Sequence, residues 1–214
     1  MSSVAFDRQS AVLASPATAD PTRVVRHFFR ARIALVMSRH DDRFRVALLD
    51  ASHGDTHTRR NFRRELDADL VEFDVTEGDR PDDFGFDAVV ITGSRASVYW
   101  DEAWIDPLVD YVADAHDRGV PILGVCYGHQ VLAAALDGRV ESMGEYELGY
   151  REVTRVGDDE LLAGVPETFT AFMSHSDAVT ELPPGADLLA ENDYGIHAFR
   201  RGRAWGVQFH PEYD

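Results

Sequence analysis

The chain has a single cysteine, which lies between two glycines in the stretch Gly124-Val-Cys-Tyr-Gly128. The apolar run Ile122–Val125 before it is typical of a buried strand, and Val131–Leu136 after it is rich in helix-forming residues. A G-x-C-x-G junction between strand and helix holds the middle side chain above the sheet on a tight turn, where a Cβ at either flank would crowd the chain. Because a helix N-terminus favours a negative sulfur, the pattern predicts a nucleophilic Cys126 rather than a small buried hydrophobe.

A thiol at such a turn needs a base, and the end of the chain supplies a histidine with a carboxylate beside it. Ala204–Phe209 is typical of a strand, which would deliver His210 at its end, and Glu212 follows two residues later. Glu212 could accept a hydrogen bond from one imidazole nitrogen while the other nitrogen faces the thiol. An H-x-E pattern is weak evidence alone, because the chain has nine histidines. Together with Cys126 it predicts a Cys-His-Glu triad.

The two motifs Gly124-Val-Cys-Tyr-Gly-His-Gln130 and Gly206-Val-Gln-Phe-His-Pro-Glu212 together resemble those of the class I, triad-type glutamine amidotransferases. The likeness is greatest to the glutaminase part of GMP synthase and extends roughly from Phe44 to Glu212. It implies hydrolysis of the side-chain amide of L-glutamine by the triad, without a metal or another cofactor. Since the chain carries no ATP-binding motif, the likeness also implies that ammonia passes to a separate ATP-dependent synthetase subunit.

The resemblance assigns an oxyanion hole to the loop after the predicted strand Asp87–Thr92 and to the turn after Cys126. In doubly wound sheets, ligands bind beyond the carboxyl ends of the strands. The family loop usually reads Gly-Gly-Pro; here Gly93 keeps the first position, while Ser94 and Arg95 replace the other two. Backbone N–H groups near Gly93, Ser94 and Tyr127 are therefore expected to hold the oxyanion. The alternative is an ordinary turn between a strand and a helix.

Three further residues are assigned to the glutamine pocket by the resemblance. Gln130, one helical turn after the cysteine, matches the family residue that contacts the bound glutamine. Ser174 and His175 stand where the predicted strand Thr170–Asp177 ends, in a segment that lines the family's pocket largely by its main chain. His175 is also expected to face a synthetase partner, with an ordinary loop histidine as the alternative. His129 is given no role.

The elements that must position these residues alternate between strands and helices. The first predicted elements are strands at Arg45–Asp50, Asp69–Asp74 and Asp87–Thr92 and helices at Asn61–Leu66 and Ala103–Arg118. Alternation of this kind predicts an α/β fold with a flavodoxin-like, doubly wound, mostly parallel sheet flanked by helices. A polar turn is expected over Ser52–Arg60. Its histidines, His53 and His57, are interpreted as surface residues because no third metal ligand accompanies them.

The remainder of the chain predicts shorter elements around the second motif. They are strands at Glu147–Val153, Ala186–Ala190, Gly195–Phe199 and Ala204–Phe209, besides Thr170–Asp177, and a short helix and turn at Leu161–Pro166. Residues 41–214 are predicted to form the amidotransferase domain, and residues 1–40 an extension, flexible in part, without a chemical role. Family domains normally add a closing helix after the second motif, so the C-terminal end is expected to be short.

Composition limits the partners of the chain. Acidic residues number 38 against 21 basic ones, all of them arginine, and the net charge is −17. This balance opposes nonspecific binding to nucleic acid or to an anionic membrane.

One cysteine excludes an internal disulfide, and the absence of a signal peptide or a long apolar run predicts a cytoplasmic protein. The lysine-free acidic composition favours adaptation to a high-salt cytoplasm; a GC-rich genome, which favours arginine, is the alternative.

The melting temperature is expected to rise between low and molar KCl, because the salt screens repulsion among the surface carboxylates. Differential scanning fluorimetry over a KCl series, with the pH held constant, measures the effect. A flat or falling curve would favour the genomic explanation of the composition.

Two other functions remain open from the sequence alone. One is a free-standing γ-glutamyl hydrolase that uses the same triad and cleaves γ-glutamyl peptides without a partner. The other is a non-catalytic, regulatory relative, against which the intact Cys126, His210 and Glu212 set argues.

Overall fold

A nine-stranded mixed sheet forms the centre of the computed structural model, which describes residues 44–213. The strands follow one another across the sheet in the order β2-β1-β3-β4-β9-β8-β7-β5-β6. They are β1 (Arg45–Asp50), β2 (Asp69–Asp74), β3 (Ala88–Ile91), β4 (Ile122–Val125), β5 (Arg139–Arg155), β6 (Thr168–Glu181), β7 (Asp187–Asn192), β8 (Gly195–Arg201) and β9 (Ala204–Val207). The predicted extension over residues 1–40 lies outside the described residues.

The first five strands in this order are parallel, and all of them except the edge strand β2 are buried on both faces. The α-helices are α1 (Thr56–Glu65), α2 (Ile105–Asp117) and α3 (Tyr127–Ala135), and a short 3-10 helix spans Val75–Glu77. Alternate residues of β1 belong to opposite cores: Val46 packs on the side of α1, and Ala47 on the side of α2 and α3. Burial on both faces explains why β1, β3 and β4 are almost continuously apolar. The predicted doubly wound α/β fold is confirmed, but the sheet is mixed rather than mostly parallel, since four of its eight strand pairings within residues 44–213 are antiparallel.

The other four strands extend the sheet in antiparallel fashion. The longest pair is β5 with β6, whose register shifts between Ser142 and Glu147. Strand β6 also lies against the second motif, because the His210 N–H donates to the Phe172 carbonyl over 2.9 Å. The antiparallel extension therefore supplies one wall of the region around the cysteine. Between residues 44 and 213, no helix has the length and apolar character that crossing a bilayer requires.

Several predicted elements differ from the structure. The strand predicted at Glu147–Val153 is part of the longer β5, which begins at Arg139. Helix α1 begins at Thr56, within the predicted polar turn, because the Asp55 carboxylate caps it by accepting from the His57 N–H over 2.9 Å. No helix forms at 161–166, where a turn buries Leu161 and Leu162 in the core. Strand β6 does not end near Ser174 and His175 but continues to Glu181, since β5 pairs with it on both sides of the register shift.

Candidate active site

Cys126 occupies a strained turn between β4 and α3. Its φ of 54° and ψ of −103° lie in a region that non-glycine residues rarely adopt. A Cβ added to Gly124 would lie 2.2 Å from the Gly128 carbonyl oxygen, and one added to Gly128 would lie 2.5 Å from the Ile91 carbonyl oxygen. Both contacts are far too short, so the prediction that a side chain at either flank would crowd the turn is confirmed.

The neighbouring strand β9 brings the second motif to the cysteine. Strands β4 and β9 are parallel, and the Cys126 N–H donates to the Val207 carbonyl over 2.8 Å. His210 follows β9, and its Nδ1 lies 2.8 Å from Glu212 Oε1, which leaves Nε2 free to face the sulfur. A Cβ built on Gly93 would lie 3.1 Å from His210 Cε1 and 3.9 Å from Cys126 Sγ, so ring and sulfur flank the same point. All three members of the predicted triad are buried.

The charges around His210 favour its protonated form. Burial by itself would lower the pKa of His210, but the Glu212 carboxylate and the Cys126 sulfur outweigh burial and hold that pKa well above its ordinary value. The Glu212 Oε1 atom faces the ring, whereas Oε2 is buried with no partner among residues 44–213. The arrangement is suited to an imidazolium at His210 beside the cysteine sulfur.

The loop after β3 presents its backbone to the same region. The Thr92 hydroxyl accepts from the Ala51 N–H over 2.9 Å and donates to the Gly93 carbonyl over 3.0 Å. Carbonyl and N–H point in opposite directions across a planar trans peptide, so the N–H of Ser94 is directed away from Thr92. Tyr127 is the first residue of α3, where an N–H has no acceptor within its own helix, and its side chain is buried. Only its backbone can serve the site.

A cavity of about 630 Å³ opens over the cysteine. The predicted site residues that line it are Gly93, Ser94, Cys126, Gln130, Ser174, His175 and His210. Glu212 and Tyr127 lie behind this lining. Gln130 Nε2 donates to the Asp177 carbonyl over 3.0 Å and to Gln208 Oε1 over 3.2 Å. Because a main-chain carbonyl can only accept, the amide nitrogen must face Asp177, which leaves the amide oxygen for a ligand.

Several residues of the site were missed in the sequence. The Tyr99 hydroxyl donates to Asp177 Oδ1 over 3.0 Å and so connects the loop after β3 to β6. Arg64 Nη2 donates to the Glu212 carbonyl over 2.7 Å and ties the end of the second motif to α1. Tyr146 and Tyr150 line the mouth of the cavity. Tyr150 stands in the predicted strand Glu147–Val153, but no sequence signal connects Arg64 to a residue 148 positions away.

Comparison with known proteins agrees with this geometry. The family model for class I glutamine amidotransferases matches residues 49–214. The chain belongs to this family. Its predicted relationship to GMP synthase is also confirmed, since the amidotransferase is 38% identical over 128 residues to the glutamine-hydrolysing GMP synthase of Staphylococcus aureus strain JH9. That match covers 58% of this chain and 24% of the relative, so the chain spans about a quarter of the relative's length.

Solved structures share the fold. A glutamine amidotransferase from Thermotoga maritima superposes with a TM-score of 0.71 at 24% identity, over 80% of this chain and 77% of the other. A protein from Thermoplasma acidophilum, described as a candidate GMP synthase subunit, gives a TM-score of 0.66 at 25% identity, over 82% and 87% of the two chains. The mixed sheet described above is therefore the fold of this family.

Proposed function

We propose that this amidotransferase hydrolyses the side-chain amide of L-glutamine and delivers the ammonia to a separate ATP-dependent synthetase. The observation that carries the proposal is the position of Cys126 on a strained turn at the cavity, next to a buried His210–Glu212 pair. A sulfur nucleophile, a base and a group that orients the base are what acyl transfer from an amide requires. The γ-glutamyl hydrolase and the regulatory relative remain the alternatives.

In the proposed reaction, the Cys126 sulfur attacks the carboxamide carbon of glutamine. The oxyanion is held by backbone N–H groups of the Gly93–Ser94 loop and of Tyr127. Imidazolium His210 then protonates the departing ammonia, and as a neutral base it later activates the water that releases glutamate from the thioester. Glu212 keeps the ring in place and stabilises its charge.

Glutamine binding is assigned to residues that line the cavity. The amide oxygen of Gln130 is proposed to accept from an N–H group of the substrate, because the amide nitrogen is occupied by the Asp177 carbonyl and Gln208 Oε1. The Ser174 carbonyl lies 3.8 Å from Cys126 Sγ, close enough to accept from the amide nitrogen of a glutamine at the sulfur. Both assignments use main-chain or amide oxygens, in keeping with a neutral side-chain amide as the substrate group.

The synthetase is proposed to dock over the mouth of the cavity. Tyr146, Leu148 and Tyr150 project from β5 with exposures of 76%, 59% and 48%, and Tyr99 and Trp100 are half exposed on the loop after β3. Tyr146 and Tyr150 also line the cavity, so a partner that covered this aromatic patch would enclose the site. A synthetase is the fitting partner because the chain matches about a quarter of a GMP synthase and its ammonia needs an acceptor.

Turnover by the isolated chain is expected to be slow, with kcat rising roughly tenfold or more when a GMP-synthase-type synthetase from the same organism is added with ATP and nucleotide. The physical reason lies in the Gly93–Val98 loop, which holds part of the proposed oxyanion hole. Because Ser94 and Arg95 lack the backbone preferences of the family's Gly and Pro, this loop can rest in a non-productive position until a partner docks. Glutamate release, measured with and without the synthetase, tests the prediction. Full activity in the isolated chain, together with cleavage of γ-glutamyl peptides, would favour the free-standing hydrolase.

Two surface variants make the partner test specific. Leu148→Asp places a charge in the aromatic patch without touching the cavity lining, so it should remove stimulation by the synthetase and leave slow turnover unchanged. Val156→Asp, at another exposed apolar residue of similar exposure (49%), should keep the stimulation. Equal stimulation of wild type and Leu148→Asp would contradict docking at this patch.

A further inference from the structure

A buried polar network lies next to the glutamine cavity and centres on Glu147. Glu147 Oε2 lies 2.7 Å from His175 Nε2 and 3.3 Å from His197 Nε2, and Oε1 accepts from Asn192 Nδ2 over 2.7 Å. Burial alone would raise the pKa of Glu147, but the hydrogen bonds from His175 and His197 outweigh it and lower that pKa to about 2. The carboxylate therefore stays charged although the residue is fully buried.

Both ring nitrogens of His175 face hydrogen-bond acceptors. Its Nδ1 lies 3.0 Å from the Asp177 carbonyl and its Nε2 lies 2.7 Å from the Glu147 carboxylate. Each of these groups can only accept a hydrogen bond, so each ring nitrogen is placed to donate. His197 differs, because its Nδ1 has no partner in the described part of the chain and burial lowers its pKa. One proton, on Nε2, is enough for His197.

The Asp177 carbonyl connects this ion pair to the glutamine pocket. It accepts from His175 Nδ1 and from Gln130 Nε2, each over 3.0 Å. Together with Gln208 Oε1, the position of this oxygen determines how the Gln130 amide is turned, and with it where the amide oxygen meets a ligand. His175 also lines the cavity, but its two polar atoms are already occupied by Asp177 and Glu147.

A metal ion is the rival occupant, because ligand atoms of Glu147, His175 and His197 all lie within 4.8 Å of one another. Around a tetrahedral zinc with bonds of about 2.1 Å, two ligand atoms stand about 3.4 Å apart. The 2.7 Å between His175 Nε2 and Glu147 Oε2 is instead a hydrogen-bond distance. The hydrogen-bonded network is therefore favoured over a metal site.

We propose that His175 and Glu147 are positioning residues for glutamine binding: their ion pair holds the Asp177 carbonyl, which orients the Gln130 amide toward the substrate. His175 does this work through Asp177 rather than by contacting glutamine with its ring. The inference rests on the proposed glutaminase function and adds the residues that shape its substrate site.

Two substitutions of the same histidine separate positioning from simple structural support. The amide nitrogen of asparagine takes the place of imidazole Nδ1, and that of glutamine takes the place of Nε2. His175→Asn should thus keep the bond to Asp177, and His175→Gln should keep the bond to Glu147. We expect KM for glutamine to rise about five- to tenfold in His175→Gln and at most about twofold in His175→Asn, with kcat nearly unchanged in both.

Stability should follow the opposite order. His175→Asn leaves the Glu147 carboxylate with one donor fewer, so its melting temperature should fall further than that of His175→Gln. Glu147→Gln keeps an acceptor but removes the charge that favours donation from both ring nitrogens of His175. The bond from the ring to Asp177 should therefore weaken, which an asparagine amide at position 175 would not suffer, and we expect roughly a threefold rise in KM. His197→Gln is the matched control, since His197 contacts Glu147 but not Asp177, and it should lower stability while leaving KM within about twofold of wild type.

The measurements are KM and kcat for glutamate release, and the glutamine Kd by calorimetry in a Cys126→Ala background. A KM that rises as much in His175→Asn as in His175→Gln, a fall in kcat alone, or an unchanged KM in Glu147→Gln would overturn the inference. About one zinc per chain by elemental analysis of protein purified without chelator would also overturn it. If wild-type protein binds glutamine but never hydrolyses it, the proposed function fails. The order of the glutamine Kd values among the His175, Glu147 and His197 variants still tests the positioning role.

Discussion

Cys126→Ala is expected to abolish glutaminase activity, with kcat/KM falling by roughly 10⁴-fold or more, while the protein remains folded. The sulfur is the atom proposed to form the acyl intermediate, and no other cysteine in the chain can replace it. Only one buried atom is lost, and alanine meets the same backbone strain at this φ that cysteine does. Glutamate release measures the activity, and circular dichroism with the melting temperature measures the fold.

Binding separates this result from a general loss of the site. Cys126→Ala should still bind glutamine, because Gln130 and Ser174 are untouched, and calorimetry can measure its Kd. In the wild type, iodoacetamide should label Cys126, and glutamine should protect it. Near-normal ammonia release from Cys126→Ala would rule out the nucleophile assignment. A wild-type thiol that resists labelling would favour the non-catalytic relative.

His210→Asn should be about as damaging as Cys126→Ala, since it removes the proposed proton donor and base together. Glu212→Gln should be milder, with a fall in kcat/KM of roughly 10- to 100-fold, because it removes orientation and charge but not the proton carrier. Steady-state glutamate release for both variants, beside the wild type, measures the difference. Equal losses in the two variants would mean that Glu212 does more than orient the ring.

The pH profile of Glu212→Gln gives a second readout with a definite sign. The Glu212 carboxylate is one of the two charges that raise the pKa of His210, so its removal must lower that pKa. Activity that depends on imidazolium His210 is lost as the pH rises through that pKa. The alkaline limb of kcat/KM should therefore move to lower pH in Glu212→Gln, and it should stay in place in Glu191→Gln, which removes an exposed carboxylate elsewhere. An unshifted limb in Glu212→Gln would contradict the assigned role.

Local sequence was enough to predict the parts of the site whose residues are close together in the chain. The turn at Cys126 depends on glycines two positions away on each side. A Cβ on Gly124 would collide with the Gly128 carbonyl inside the turn itself, and one on Gly128 would collide with Ile91 of the neighbouring strand β3. The His210–Glu212 pair needs only two residues of separation. The apolar runs predicted the parallel strands because burial on both faces demands them. These features are set by short-range sterics and by burial.

The tertiary structure alone decided which distant residues meet. Strand periodicity shows which face a side chain occupies but not which neighbour it touches, since that depends on strand order and register. The antiparallel register of β5 and β6 pairs Glu147 with His175, and strand β8 then places His197 beside them. The result is a charged network that no sequence signal predicts. The start of α1 was missed for a different reason: the capping Asp55 stood within a run read as a turn. Sequence by itself determined the turn at Cys126 and the His210–Glu212 pair, whereas long-range pairing determined how the pocket around them is held.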